Sequence, residues 1–554
     1  MRSRGLKWLG AILYLALLLG AVVYILNHGL DTADKTSSVV GGLLALPPAV
    51  AALWQLWRRP RTTLSLEEVA GQLAVAVKNQ WDAEAALRRV NDPYPLPVAW
   101  RAADGDLAEP WPLLAELARA WPGGPPGDPV RWPQQAAGLA DEGARIGEVF
   151  TDRVPTLRLV VLGEPGAGKS VLLMRLVQDL LARRTGDEPV PVLFSLASWN
   201  PDQPLKTWLA DQLRRAHPSL CTPAPATTTA DTPDDQAQAL LETNRILPLL
   251  DGFDELPPDL HHRALHALNR SLPDGQPLVL ASRAAPYRAA LSGAGPTVRL
   301  NGAAAIQLLP LDPDRATAYL RRDAGGLETS AAARWHAVAA ELGTASPVGQ
   351  ALSTPLGLFL ARTIYNPRPG PAPTAEAPHP DELCDTEVFP ERAAVDRHLF
   401  NAFIPAAYAP DAPLPPSWNA AQAHRAFVTL ARFLERQHHG SPDLAWWELV
   451  QAIPASRYLT KGLASGLVVG ITGWLTGWLM DSFAAAVTLW VAGALMVGLG
   501  GWLAGGRGMA SATPSTGLRW SPFGLAVGLT VGITAALAYV LFIALMNTTR
   551  SRTS

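Results

Sequence analysis

The chain has 554 residues, of which 48% are hydrophobic and 17% charged, with a net charge of -2 and two cysteines. That length is too great for one domain, and the near-neutral charge gives no whole-chain basic surface for nucleic acid, so no nucleic-acid partner is expected. Cys221 and Cys384 lie far apart with no CxxC, so the sequence suggests neither a disulfide framework nor a zinc site. The apolar excess points to a membrane protein with a soluble part.

Residues 8–26 form an apolar run close to the ~20 residues that a bilayer requires. Arg2, Arg4 and Lys7 precede it, and no small-residue cleavage site follows, which favours an anchor over a removed signal peptide. A polar loop, 27–37, carries Asp31 and Asp34. A second apolar run, 38–57, contains Pro47 and Pro48 and ends in Arg58, Arg59 and Arg61. Basic residues at both outer ends predict a two-span hairpin over 1–61, with everything after Arg61 in the cytoplasm. Residues 62–153 read as a helical and Pro-rich linker region. Leu66, Val69, Leu73, Val77 and Trp81 predict a helix within 63–90. Pro93, Pro95 and Pro97 hold 92–100 extended, and 121–129 reads as a linker.

From Val154 the pattern alternates strand and helix as far as Leu311. Residues 157–162 read LRLVVL, an apolar run suited to a buried parallel strand. The turn that follows, 163–170, is Gly163, Glu164, Pro165, Gly166, Ala167, Gly168, Lys169 and Ser170, which satisfies G-x-x-x-x-G-K-[ST] in full. A helix-like run comes next. In such a loop, glycines let backbone N–H groups wrap phosphate oxygens, and the helix N-terminus adds partial positive charge. Lys169 can reach the β- and γ-phosphates, and Ser170 can hold Mg²⁺. Residues 246–250 form a short apolar strand with Pro248 inside it, and Asp251 ends the strand as a second Mg²⁺ ligand. Either Asp254 or Glu255 could orient the attacking water. A further strand, within 277–283, ends in Ser282 and Arg283, where an arginine can sense the γ-phosphate.

These stretches predict an α/β P-loop NTPase core, a doubly wound parallel sheet, over 154–311. A helical region follows over 312–455, interrupted by a Pro-rich loop at 366–390. The C-terminal region, 456–554, returns to the membrane with spans expected at 462–480, 483–504 and 523–546, none of which contains a charged residue. GLASGLVVGIT from Gly462 and GLAVGLTVGIT from Gly524 repeat one another and place glycine every four residues, a spacing that permits close helix packing. The core is thus flanked by N- and C-terminal transmembrane helices.

GEPGAGKS, LLDGFDEL and LASR together resemble the NACHT family of signal-transduction NTPases, a branch of the STAND class. The resemblance implies ATP/ADP and Mg²⁺ as cofactors, slow regulatory hydrolysis, and self-association into a homo-oligomer on activation by an unspecified trigger. Residues 351–366 look like the helical region after the core in that family, where a proline lies near the adenine, and Pro355 is the matching residue. HLFNAFIPAAY and DLAWWELV, with the flanking spans, resemble a membrane-bound actinobacterial subgroup. The family's sensor repeats are not evident. A winged helix is expected within 312–455, with His398, His438 and His439 as candidates for its nucleotide-contacting histidine. The resemblance therefore implies a switch bound to the cell membrane's lipid bilayer, with its NTPase core cytoplasmic.

Two rival classes fit less well. LSGAG, 291–295, superficially resembles an ABC signature but follows Asp251, whereas that signature precedes the corresponding motif. Coupled transporters keep ionisable groups inside their spans, and these spans have none. A constitutively active membrane ATPase, or the ATPase subunit of a transport system, remains the alternative reading. His262 and His266, one helical turn apart, lack further ligands for a metal site.

Overall fold

The computed structural model describes residues 64–437, apart from 93, 97, 123, 225–234, 272–275, 293–297, 367–377 and 409–417. The predicted hairpin, the three C-terminal spans, and His438 and His439 therefore lie outside the described residues. Among the described residues no helix is long and apolar enough to cross a membrane.

The chain enters through helix α1 (Leu66–Leu87), whose N-terminus is closed by a capping box between Ser65 and Glu68. Val69, Leu73 and Val77 recur on its buried face, as the sequence pattern requires. The Pro-rich stretch expected to act as a linker does more than connect. It supplies strands β1 (Ala99–Ala102) and β2 (Asp141–Glu142), with helix α2 (Trp111–Ala120) between them. Both strands join the central sheet, β1 running antiparallel to β7 (Ala304–Leu308) and to β2.

The rest of the sheet is parallel. It comprises β3 (Arg158–Leu162), β4 (Val190–Ser195), β5 (Ile246–Asp251), β6 (Leu278–Ser282) and β7, and the whole sheet has the order β2-β1-β7-β3-β6-β5-β4. β3 lies between β6 and β7, so the chain must cross over it. That reversal opens a crevice at the carboxyl ends of the strands, where ligands bind in open α/β sheets. β3 and β6 are buried throughout, as expected for strands covered on both faces. The one arginine in β3, Arg158, is 3% exposed and donates to the Gln276 and Asn301 carbonyls at 2.9 and 2.8 Å. Pro248 lies opposite Val192 of β4, and the pairing with β6 begins one position later, at Leu249.

The crossovers are α3 (Lys169–Arg183), α4 (Leu205–Ala216) with α5 (Gln236–Glu242), α6 (His261–Ser271) and α7 (Ala284–Leu291). α1 packs on α3, and the Gln178 side chain donates to Asp82 Oδ1 at 2.9 Å. After β7 come α8 (Pro313–Asp323), α9 (Pro355–Tyr365), α10 (Arg392–Ala407) and α11 (Ala420–Gln437), with short helices between α8 and α9. Their core joins Tyr319, Trp335, Leu358 and Leu399, and Tyr94 and Leu96 of the N-terminal stretch pack against it. Among the described residues after β7 there is no strand; parts of the region where a winged helix is expected, 367–377, 409–417 and 438–455, lie outside the described residues.

Candidate functional site

The loop between β3 and α3 is shaped by two glycines. Gly166 and Gly168 adopt φ of +76° and +95°, conformations that side chains disfavour. A Cβ on Gly166 would stand 2.9 Å from Leu356 Cβ, and one on Gly168 3.3 Å from Val98 Cγ2. These glycines thus let the loop pass beneath two other segments. Its start is tied to β6 by the Gly163 N–H, which donates to the Ser282 carbonyl at 3.2 Å, and its turn closes through the Ala167 N–H donating to Glu164 at 3.1 Å.

Lys169 Nζ donates to the carbonyls of Gly163 at 2.7 Å and Glu164 at 3.2 Å. Burial lowers its pKa, against the opposing pull of the Asp254 and Asp251 carboxylates. Ser170 Oγ donates to Asp251 Oδ2 at 2.6 Å. Burial raises the Asp251 pKa, with the Ser170 hydrogen bond and the Lys169 charge resisting. Asp254 has both oxygens engaged by one residue. Arg283 Nε meets Oδ2 at 2.6 Å, and the Arg283 N–H donates to Oδ1 at 3.0 Å. The Asp254 side chain is 6% exposed and that of Arg283 47%, so the pair is rooted in the protein and open on the arginine side.

A cavity of about 560 Å³ brings these groups together, a volume within the usual range for small-molecule sites. Pro165, Gly166, Gly168, Lys169 and Ser170 line it with Asp251, Asp254, Glu255, Arg283 and Pro355. Gly163, Glu164 and Ala167 shape the loop without lining the cavity. The apolar part of the wall comes from Val90, Leu96, Val98, Tyr319, Leu356 and Phe359, and Arg88 and Arg89 also border it. A second cavity of about 410 Å³ shares Arg88, Ser170, Asp251 and Glu255 with the first and adds Gln80, Trp81 and Ser195. Glu255 borders both cavities and Asp254 only the first.

The wall suits a nucleotide. The glycine conformations leave backbone room for phosphates, Lys169 supplies positive charge, and the apolar side chains offer a surface for a base. Ser170 and Asp251 are two adjacent oxygen donors, the chemistry that Mg²⁺ uses when it keeps several waters and binds phosphates.

Sequence reasoning missed the contribution of Arg88 to Val98. No motif marks it, and the stretch reads as the end of a helix and a Pro-rich connection. Tyr319 and Phe359 were likewise missed, since aromatic residues in helices ordinarily signal packing. His398 is not at the cavity. Its Nε2 lies 3.0 Å from the Tyr365 hydroxyl and 3.4 Å from Glu382 Oε1, and it is absent from the lining. His262 and His266 meet edge to face, and His262 Nδ1 lies 2.8 Å from the Ala290 carbonyl. Among the described residues no cluster of metal-ligating side chains is present.

The NACHT domain family matches residues 157–324. This segment carries the glycine loop, Asp251, Asp254, Glu255 and Arg283, and is a P-loop NTPase domain of the NACHT kind. α1, β1 and Pro355 lie outside the match. A solved structure of C. elegans PCH-2 is similar at 14% identity, covering 54% of this chain and 74% of that one, with a TM-score of 0.25. No curated protein matches.

Proposed function

We propose that this chain is a membrane-anchored, cytoplasm-facing NTPase switch that reads ATP against ADP and self-associates in its ATP form. The observation that carries the reading is a contact between the glycine loop and the helical region. The Leu356 N–H donates to the Gly166 carbonyl at 3.3 Å, and Pro355 and Leu356 line the cavity beside Lys169. A nucleotide there touches the sheet and α9 at once, so a change at its phosphates has a direct route to the helical region.

In this reading the glycine loop and Lys169 bind the phosphates, and Ser170 and Asp251 hold Mg²⁺. When bound, Mg²⁺ neutralises charge developing on the phosphate oxygens. Glu255 is assigned the attacking water, because it borders both cavities that meet at Ser170 and Asp251. Arg283, held by Asp254, faces the cavity as the group that reports the γ-phosphate. ADP keeps the helical region closed on the loop, and ATP favours an open, self-associating form. The hairpin within 1–61 and the spans within 456–554 tie the switch to the bilayer, and clustering of cores brings the glycine-laddered spans together.

The test is to purify the full chain from its membrane fraction and identify the nucleotide it retains. Retained ADP, with slow turnover until ATP drives assembly, supports a switch. Fast, unstimulated hydrolysis supports the constitutive ATPase instead, and recovery in the soluble fraction overturns the membrane assignment.

A further inference from the structure

Arg362 lies inside the helical region at 4% exposure. A buried cation requires acceptors around it, and those of Arg362 come from distant parts of the chain. Its Nη1 donates to the Asp92 carbonyl at 2.5 Å and to Asp323 Oδ1 at 3.1 Å. Its guanidinium carbon lies 5.2 Å from the Tyr319 ring centroid and 5.4 Å from that of Phe359, both within cation–π range. Those two rings belong to the apolar wall of the nucleotide cavity.

The same contacts converge on the N-terminal stretch. The Tyr319 hydroxyl donates to the Asp92 carbonyl at 3.1 Å, and the Asp92 carboxylate pairs with Arg89 at 2.7 Å. Asp92 sits between Val90 and Leu96, which both line the cavity. Behind the arginine, Asp323 Oδ2 accepts from Asn366 Nδ2 at 2.6 Å, and Asn366 Oδ1 accepts from Trp335 Nε1 at 2.7 Å. The guanidinium therefore joins three walls: the stretch after α1, α8 through Tyr319 and Asp323, and α9 through Phe359 and its own backbone.

We propose that Arg362 is a positioning residue that clamps the segment 88–98 to α8 and α9 and thereby sets the apolar wall on which the nucleotide's base rests. The proposal builds on the nucleotide reading above. Arg362 does not reach the ligand; it acts through Tyr319, Phe359 and the Asp92 carbonyl. A lysine keeps the charge but loses the planar guanidinium face that lies against both rings while Nη1 donates to Asp92 and Asp323. Because 88–98 continues from α1, base binding and the order of the N-terminal stretch become linked.

The test compares Arg362→Lys and Tyr319→Phe with the parent in the full detergent-purified chain. Nucleotide affinity, kcat at saturation and amide hydrogen exchange over 88–98 are measured in each. Arg362→Lys is expected to weaken binding about tenfold, to leave kcat nearly unchanged, and to speed exchange over 88–98. Tyr319→Phe keeps the ring and removes one donor to Asp92, so it should speed the same exchange with a smaller loss of affinity. Parent-like affinity and exchange in Arg362→Lys overturn the proposal, as does a loss confined to kcat. Should Arg362→Lys fail to fold, parent-like exchange over 88–98 in Tyr319→Phe overturns it. A parent chain that binds no nucleotide defeats the nucleotide reading instead, and the exchange measurements still decide the clamp.

Discussion

Ser170, the first residue after the P-loop lysine, donates its hydroxyl to Asp251 at the end of β5 across 2.6 Å, joining residues 81 positions apart. The loop after β3 and the end of β5 meet because β6 alone separates the two strands in the sheet. Two oxygen donors are thereby set side by side where a cation-bound phosphate would need them.

That relationship predicts a pH and metal dependence. Burial raises the Asp251 pKa, so the folded chain holds this proton more tightly than the unfolded one. Its contribution to stability is present at acid pH and is lost as the pH rises through the folded value. Metal binding has the opposite sign, since the carboxylate must be ionised to act as a ligand. Mg²⁺-dependent nucleotide binding should therefore fail on acidification, starting above the ~3.9 of an ordinary aspartate. Asp251→Asn should raise the melting temperature of the nucleotide-free chain at neutral pH and abolish the Mg²⁺ dependence. Titration of binding with Mg²⁺ at several pH values checks both, and a retained Mg²⁺ response in the variant contradicts the assignment.

Lys169→Ala should remove charge-assisted hydrogen bonds to phosphates, each worth roughly 1.5–3 kcal/mol. Affinity should then fall about tenfold or more. Calorimetric binding measurements check this, and an unchanged dissociation constant rules out the phosphate role.

Glu255→Gln and Asp254→Asn should separate the two acids. The first removes the group assigned to the attacking water and should slow kcat by about 100-fold or more, with affinity little changed. The second weakens the hold on Arg283 and should chiefly reduce the discrimination between ATP and ADP. Single-turnover kinetics with paired affinities distinguish them, and a larger loss of kcat in Asp254→Asn reverses the assignment.

Gly166→Ala should strain the loop. A side chain at φ +76° meets Leu356 Cβ at 2.9 Å, and the left-handed conformation alone costs about 1–2 kcal/mol. A lower melting temperature together with weaker nucleotide binding is expected. Binding at parent strength would show that the loop and α9 can separate without consequence.

Gly466→Leu and Gly528→Leu should block close helix approach within the C-terminal spans. Loss of ATP-dependent clustering with nucleotide binding intact supports an active role for these spans. Clustering at parent level leaves them as an anchor.

The P-loop, the strand before it and the acids after β5 were legible in the sequence because each is a local device. Backbone room for phosphate comes from glycines within a few positions of Lys169, and strands covered on both faces need uninterrupted apolar runs. The same local logic marked Arg283 and, through the family resemblance, Pro355. The rest of the cavity wall has no local signature. Val90, Leu96, Val98, Tyr319 and Phe359 are apolar or aromatic residues that any packed helix or loop contains, and only the fold brings them to one cavity. The role of 62–153 was hidden for a related reason: strand pairing is non-local, and a four-residue edge strand, Ala99–Ala102, is too short to carry an alternation pattern. The choice between Asp254 and Glu255 was likewise open in the sequence, since both are carboxylates one residue apart. Tertiary structure adds their surroundings, which no local pattern carries: Arg283, from the end of β6, lies against both oxygens of Asp254, and Glu255 borders both cavities.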